Sequence, residues 1–380
     1  MYIEIKGVGF INKGAELMMH AVLQKVGEKI PQARFVLAPG GSSSYEKRAK
    51  LGLYQKIWFS KFGIPLGMYF GKYIHKKLCE YYGLVCHEEI KIVLDASGFS
   101  YSDKCGPGSS VLMANAIKRW ENNNSKVILL PQAMGPFTSK QIRHSFAQIV
   151  EKADLVFPRD DISYKHVTDL VGEQKHVIQA PDFTNLVKGV VPEKFKGKEG
   201  RFCIIPNYRM IDQTSPEESR KYIPFLVNCV QHLLKKKILP FILVHEGEQD
   251  DWLAKEVCKQ CGEELEIVRE INPLTIKGII GTCRGVISSR FHGLVSSLSQ
   301  GVPALATGWS HKYEMLFADY GFPEGYIPVD SSDSEIKKRI VQIIDETKAV
   351  QLRQKLTETA QIQKEKSEKM WDLVFDCIGV

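Results

Sequence analysis

The feature that most limits how this chain can fold is a repeated hand-over. A short aliphatic run gives way to a loop rich in glycine or proline, and then to a segment whose apolar residues recur at helical spacing. Such runs stand at 1–8, 34–37, 89–95, 126–130 and 155–158, with a shorter one at 177–180, and again at 201–206, 239–244, 264–268 and 285–288. Strands that alternate with helices are joined by crossovers rather than hairpins, so they line up parallel in sheets covered by helices. The pattern predicts an α/β chain, with helices over 109–122, 140–153, 216–236, 275–282 and 334–345.

At 380 residues the chain exceeds the roughly 250–300 residues at which a single core stops growing. The two sets of strands are separated by 187–200, V-K-G-V-V-P-E-K-F-K-G-K-E-G, whose lysines, glycines and proline read as a linker. The expected organisation is an N-terminal domain over 1–186, the linker over 187–200 and a C-terminal domain over 201–345. A long helical pattern over 346–380 is expected to pack back on the first domain. Each domain would be a doubly wound, Rossmann-like sheet, the two facing across a cleft that holds the substrates.

Charge and cysteine content exclude several classes of function. The net charge of +7 is a modest excess that suits small anionic substrates or an anionic membrane surface. No concentrated basic patch or recognised module points to nucleic acid. Nine cysteines include a single C-x-x-C, Cys258 and Cys261, with no second pair, so a zinc site is not expected. Scattered thiols of this kind fit a reduced, cytoplasmic protein. The N-terminus enters directly on strand-like residues and no run of 18 apolar residues occurs, so neither signal peptide nor transmembrane helix is expected.

The stretch 49–82 has an unusual composition, with no acid between Glu46 and Glu80. Lys56, Lys61, Lys72, Lys76 and Lys77 interleave with Trp58, Phe59, Phe62, Tyr69 and Phe70. Such a surface could lie against lipid head groups at the inner face of the cell membrane, or cover a lipid-linked substrate. The plain alternative is a helical hairpin packed on the sheet.

Chemistry is expected where strands end, because open α/β sheets bind ligands in the crevice outside the carboxyl ends of their strands. In I-S-S-R-F-H-G-L-V, Arg290 and His292 stand where the run at 285–288 passes into a helix. A helix N-terminus favours anions, arginine adds a fixed fork for phosphate or carboxylate, and histidine carries a proton near neutral pH. A G-V-P break and a second apolar run lead on to His311 and Lys312. Other strand ends offer Asp95 with Asp103 after it, Gln132 in P-Q-A-M-G-P-F, Arg159 in R-D-D-I-S-Y, and His245 with Glu246. Asn12 lies in the glycine-containing turn before the first helix, a turn that fails both the P-loop and the dinucleotide spacing. For each, an ordinary cap, turn or ion pair is the competing reading; Arg159 has Asp160 and Asp161 beside it.

Read together, these segments resemble the polysaccharide pyruvyltransferase family. Its S-x-R-x-H…G-x-P…K pattern is matched by Ser288, Arg290, His292, Gly301, Pro303 and Lys312. Further matches are Asn12, Gly14, Ala15 and Glu16; Pro131, Gln132, Gly135 and Pro136; Arg159, Asp160 and Ser163; and Pro181 with Asp182. The chain departs from the family at 96–98, where only Gly98 stands in place of a glycine cluster, and at Ala133. The resemblance implies a glycosyltransferase-B type fold and transfer of pyruvate from phosphoenolpyruvate to a sugar as a ketal, in surface or exopolysaccharide synthesis. Phosphoenolpyruvate would be the donor substrate, with no metal or other cofactor, and the acceptor a saccharide, free or lipid-linked. His292 would be the proton donor, and Arg290, Arg159 and Lys312 the cations for the donor. Asp95, Asp103, His245 or Glu246 would accept the hydroxyl proton, and Asn12 and Gln132 would contact substrate. Two rivals stand beside this reading: a nucleotide-sugar glycosyltransferase of the same fold, with Glu314 on the ribose, and a non-catalytic membrane-associated assembly protein.

Overall fold

Strands buried on both faces read as near-continuous aliphatic runs rather than alternating ones, and that is what the runs in this chain become. Ile90–Asp95 (I-K-I-V-L-D) is buried at every position but Lys91, and Phe202–Ile205 and Phe241–Val244 at every position. The structure is a computed structural model that describes residues 1–59, 67 and 71–380, with the side chain of Lys72 left out. It divides into two units, Met1–Asp182 with Glu368–Val380, and Phe183–Ser367.

The first unit holds a seven-stranded sheet: β1 (Tyr2–Lys6), β2 (Arg34–Leu37), β3 (Tyr54–Lys56), β4 (Leu84–Val85), β5 (Ile90–Asp95), β6 (Lys126–Gln132) and β7 (Leu155–Pro158). Their order across the sheet is β4-β3-β2-β1-β5-β6-β7, and every pairing is parallel. The chain steps outward from β1 to β4, then returns to lay β5 on the other side of β1. Loops leaving β1 and β5 therefore diverge, which opens a crevice at the carboxyl edge. Gly7, with φ of +73°, lets those two loops touch, because a side chain there would overlap Ser97. Helices α1 (Lys13–Lys29), α2 (Pro107–Asn122), α3 (Lys140–Lys152) and α4 (Asp161–Val171) accompany the sheet, and Trp120, Phe146, Ile149, Val93 and Val156 belong to one core.

The second unit repeats the scheme with β8 (Phe202–Ile205), β9 (Phe241–Val244), β10 (Ile267–Arg269), β11 (Gly285–Ser288) and β12 (Ala304–Ala306). The order β10-β9-β8-β11-β12 is again all parallel and reverses between β8 and β11. Its helices are α5 (Pro216–Lys235), α6 (Gly247–Cys261), α7 (Pro273–Gly281), α8 (Phe291–Leu298), α9 (Lys312–Asp319) and α10 (Asp333–Ile344), followed by the long α11 (Glu346–Ile378). Asn12, Asp160, Ser215, Asn272 and Ser332 each accept a backbone N–H at the start of their helix, so helix starts follow residues that bond the first free N–H groups.

The boundaries differ from those read in the sequence. The segment 187–200, expected as a linker, belongs to the second unit, which begins at Phe183. Val190 donates its N–H to Leu274 O at 2.9 Å, and Phe195 is buried against Phe241, ring centroids 5.8 Å apart. Gly189 and Gly278 make the approach possible: a Cβ on Gly189 would lie 2.5 Å from the Gly278 nitrogen, and one on Gly278 would overlap the Val190 carbonyl. The tail, expected to pack back on the first domain, does so over Glu368–Val380, while its earlier part belongs to the second unit. Leu356 and Ala360 lie in the second unit's core. In the first unit, Lys25 pairs with Glu368 at 2.6 Å and the Lys29 ammonium sits 5.8 Å over the Phe375 ring. The run at 177–180 forms no named strand, but Val177 bridges Val156, and Ile178 and Ala180 donate their N–H groups to Val156 O and Pro158 O. The short strands β3, inside the aromatic and lysine-rich stretch, and β4, just after it, had no strand signature.

Overpacking a tight contact costs about 1–3 kcal/mol, so Gly278→Ala should lower stability by that amount in equilibrium denaturation. Gly27, inside α1 and with nothing within 4 Å of an added Cβ, provides the opposite case: Gly27→Ala should raise stability by about 0.5–1 kcal/mol. Equal effects at the two sites would refute the packing assigned to 187–200.

Candidate functional site

At the reversal point of the second sheet, the ends of β8 and β11 are bound to each other. Ser289 N–H donates to Ile205 O at 3.0 Å, and Asn207 Nδ2 donates to Ser289 O at 2.7 Å. The Tyr222 hydroxyl accepts from Asn207 N and donates to Ser289 Oγ, both at 2.9 Å. The Tyr313 hydroxyl adds a bond to Ser289 O at 2.9 Å. Arg290 then takes the N-cap position of α8 in an extended conformation.

The Arg290 guanidinium is held by two acids. Its Nε and Nη2 donate to Asp250 Oδ2 at 2.9 and 2.6 Å, and Nη1 donates to Glu246. Asp250, with no solvent exposure, also accepts the Tyr208 N–H at 3.0 Å and the Glu246 N–H at 3.1 Å. Burial acts against charge on both partners. It raises the Asp250 carboxyl above the ordinary range although Arg290 pulls it back, while on Arg290 the attraction of Asp250 and Glu246 outweighs burial and raises its pKa. Bonds converging on one oxygen from a guanidinium and a backbone N–H support the charged pair. Arg290 and Glu246, expected to act separately on substrate, are thus joined to each other and to Asp250, a residue the sequence reading passed over. The available signal was spacing: Glu246 and Asp250, one helical turn apart directly after a strand, share a helix face.

His292 lies in the first turn of α8, half-buried, its ring edge-on to Phe291 with centroids 5.5 Å apart. Lys312 opens α9 and is buried. Its ammonium lies 4.4 Å from the Trp309 ring, 5.4 Å from Phe291 and 5.6 Å from Tyr313. Phe291 is therefore a shared neighbour of His292 and Lys312, and Tyr313 ties the Lys312 turn to Ser289. His245, buried at the end of β9, adjoins Glu246. Glu314 is exposed on α9. The second unit thus brings Arg290, His292, Lys312 and Glu246 to one carboxyl edge, with Asn207, Tyr222, Asp250 and Tyr313 as unforeseen supports.

In the first unit the expected residues organise loops. Asn12 Oδ1 accepts from Gly14 N and Ala15 N at 2.9 and 3.2 Å, capping α1. The buried Asp95 carboxylate accepts Ser97 N at 3.1 Å and the hydroxyls of Ser97 and Tyr101. Burial, with Asp95 alongside, pushes the Tyr101 hydroxyl well above its usual pKa. Gln132, also buried, points Nε2 at Asp95 O, 3.5 Å away. Asp103 accepts Thr138 N at 2.7 Å and Ser139 N at 3.1 Å; burial raises its pKa, but these bonds prevail and hold it below the usual value. Arg159 pairs with Asp182 at 2.9 Å. Asp160 caps α4 through Ser163 N at 2.8 Å, and Asp161 accepts from Gln179 at 2.8 Å.

Solved structures similar to the chain define the fold. The UDP-GlcNAc 2-epimerase from Neisseria meningitidis, solved with UDP-GlcNAc, is 10% identical with a TM-score of 0.60, over 99% of this chain and 100% of that one. HepE of Anabaena, solved with UDP-glucose, is 13% identical with a TM-score of 0.59, over 98% of this chain and 99% of that one. The pneumococcal O-GlcNAc transferase GtfA, solved with UDP and GlcNAc, is 11% identical with a TM-score of 0.58, over 100% and 99%. At such identities the likeness is one of fold: two Rossmann-like domains of the glycosyltransferase-B type. No curated protein matches the sequence. The polysaccharide pyruvyl transferase family is matched over residues 12–311, and the chain belongs to that family of transferases. Among the described residues, no helix is long and apolar enough to cross a membrane.

Removing one partner of a buried ion pair costs about 3–5 kcal/mol, because the other charge is left without compensation. Asp250→Ala should destabilise the protein by that amount in chemical denaturation, whereas Glu217→Ala, at an exposed pair, should leave stability almost unchanged. A neutral Asp250→Ala would mean that Arg290 is not held as described.

Proposed function

We propose that this protein transfers pyruvate from phosphoenolpyruvate to two hydroxyls of a saccharide, forming a pyruvate ketal in surface or exopolysaccharide synthesis in the cytoplasm. The observation that carries the proposal is the family match, which runs through the whole β11–α8 segment.

Phosphoenolpyruvate presents a phosphate, a carboxylate and a methylene carbon. The backbone N–H groups at the start of α8 and the Lys312 ammonium are the groups this reading assigns to the anions. Arg290, with further N–H groups beyond its three bonds to acids, orients the helix start and offers the remainder to the donor. His292 gives a proton to the methylene carbon, which becomes methyl and leaves a cation at C2. One sugar hydroxyl adds to C2 and loses its proton. The C2–O bond to phosphate breaks, and the second hydroxyl adds and loses its proton in turn. One of the two hydroxyl protons restores His292 and the other departs with phosphate, so donor and diol become ketal and phosphate. Among the candidate acceptors of the hydroxyl proton, His245 is the one whose ordinary pKa lies near neutrality. The saccharide is assigned to the carboxyl-edge loops of the first unit, shaped by Asn12, Asp95, Gln132 and the Arg159–Asp182 pair.

Phosphate release from phosphoenolpyruvate, measured across saccharide acceptors with product mass, tests the reaction. Release should depend on acceptor, with a mass gain matching a ketal. His292→Ala should lower turnover at least about 100-fold with the fold intact, and Lys312→Met should raise the KM for phosphoenolpyruvate. A thermal shift with nucleotide sugars but none with phosphoenolpyruvate would favour the glycosyltransferase rival. Absence of phosphate release with every acceptor would favour an assembly protein.

A further inference from the structure

One acid-free stretch of the chain carries as much positive charge as its whole excess. Between Glu46 and Glu80 stand eight lysines and arginines and no acid, more than the net +7 of the whole chain, so the rest of the molecule is slightly acidic. Exposed aromatic side chains are concentrated within this stretch and directly beside its two ends. Of seven among the described residues, six are Tyr45, Trp58, Phe59, Tyr73, Tyr81 and Tyr82; the seventh is Trp252. The topology brings them to one region, since this part of the chain supplies β3, leads into β4, and so builds the outermost two strands of the first sheet.

The structure sorts the charges. Lys56, expected to face lipid, is buried instead, paired with Glu4 at 2.5 Å and 5.1 Å over the Trp120 ring. Arg48 is also buried, bonded to Ser43 O and Gln55. Lys47, Lys50, Lys76 and Lys77 are exposed. Lys61, Phe62, Tyr69, Phe70 and the Lys72 side chain lie outside what the structure describes. The exposed pairs Lys50–Glu46 and Lys76–Glu80, at 2.7 and 3.9 Å, are of the kind that contributes little and is screened by salt. The short helix Lys76–Tyr82 buries Cys79 and leaves Leu78, Tyr81 and Tyr82 exposed by 51%, 88% and 61%. Their spacing puts all three on one face.

The chemistry of this edge selects its partner. Protein interfaces are enriched in arginine and depleted in lysine, whereas here the arginine is buried and the exposed cations are lysines. Tyrosine and tryptophan rings suit the head-group level of a bilayer, and clustered lysines are attracted to anionic lipid. We infer that the β3–β4 edge of the first unit is a docking surface for an anionic bilayer, which holds the protein at the membrane without spanning it.

Vesicle sedimentation with the full chain tests this. The protein should pellet with phosphatidylglycerol–phosphatidylcholine vesicles, stay in solution with phosphatidylcholine alone, and be released as salt is raised. Lys76→Glu with Lys77→Glu should weaken binding at least about tenfold, and Tyr81→Ser with Tyr82→Ser should weaken it without changing its salt dependence. Circular dichroism of each variant checks that the fold is kept. The proposal is overturned if the folded protein stays in solution with anionic vesicles, if it binds neutral ones equally, or if both double variants bind as the parent does.

Discussion

A carboxylate taken out of water loses several kcal/mol of hydration that only hydrogen-bond donors can replace. Asp250 recovers it from four N–H groups: two on Arg290 and the backbone groups of Tyr208 and Glu246. Those donors come from the loop after β8, the start of α6 and the N-cap of α8. One buried atom group therefore fixes the relative positions of three strand ends that are far apart in sequence. Hydrophobic packing alone would hold the helices against the sheet, but it is tolerant of small shifts. A bonded charge pair is not, because a displaced Arg290 would leave Asp250 buried and ionised with nothing beside it.

This arrangement also redistributes charge at the carboxyl edge. One guanidinium faces two acids, so Arg290 contributes little net positive potential to a ligand in the crevice. On the reading proposed above, the work of meeting an anion shifts to other groups at this edge. Those are the N-terminal dipole of α8, worth up to about 2 kcal/mol in partly buried geometry, and the Lys312 ammonium. Three aromatic rings around Lys312 favour the cation electrostatically by about 0.5–2 kcal/mol while keeping water away from it. A dry ammonium on ring faces interacts strongly with an arriving phosphate or carboxylate, since a lower local dielectric strengthens the attraction.

The fold was legible because its strands are buried on both faces, and aliphatic runs punctuated by glycine and proline survive in the sequence as a clear signal. Where that signal was short or masked by composition, reading failed. Strands β3 and β4 have three and two residues, and the packed segment 187–200 hides Phe195 and Gly189 among lysines and glycines. The positions of Arg290, His292 and Lys312 followed from the hand-over of strand to helix. Their partners did not. Arg159 has two acids next to it in sequence, which cap α4 and bond Gln179, and it also pairs with the distant Asp182. Asp250 lies forty positions from the arginine it holds. A parallel sheet brings the ends of strands together regardless of their distance along the chain, so pairings at its edge are decided by topology rather than by neighbourhood.

The two units solve the same problem with different chemistry. Each sheet reverses direction at one point, and each places a buried aspartate near it to tie down a loop. In the first unit Asp95 is met by a backbone N–H and two neutral hydroxyls; in the second, Asp250 is met by a guanidinium. Neutral partners do not offset the carboxylate's charge, which is in keeping with the proposed binding of a neutral, hydroxyl-rich saccharide at this edge. The cation at Asp250 offsets the acid's charge, which is in keeping with the proposed binding of an anion at the start of α8. The two carboxylates hold different places, Asp95 closing β5 and Asp250 lying on α6 after β9, and on the proposed reading their different partners would give the two edges opposite preferences within one kind of fold.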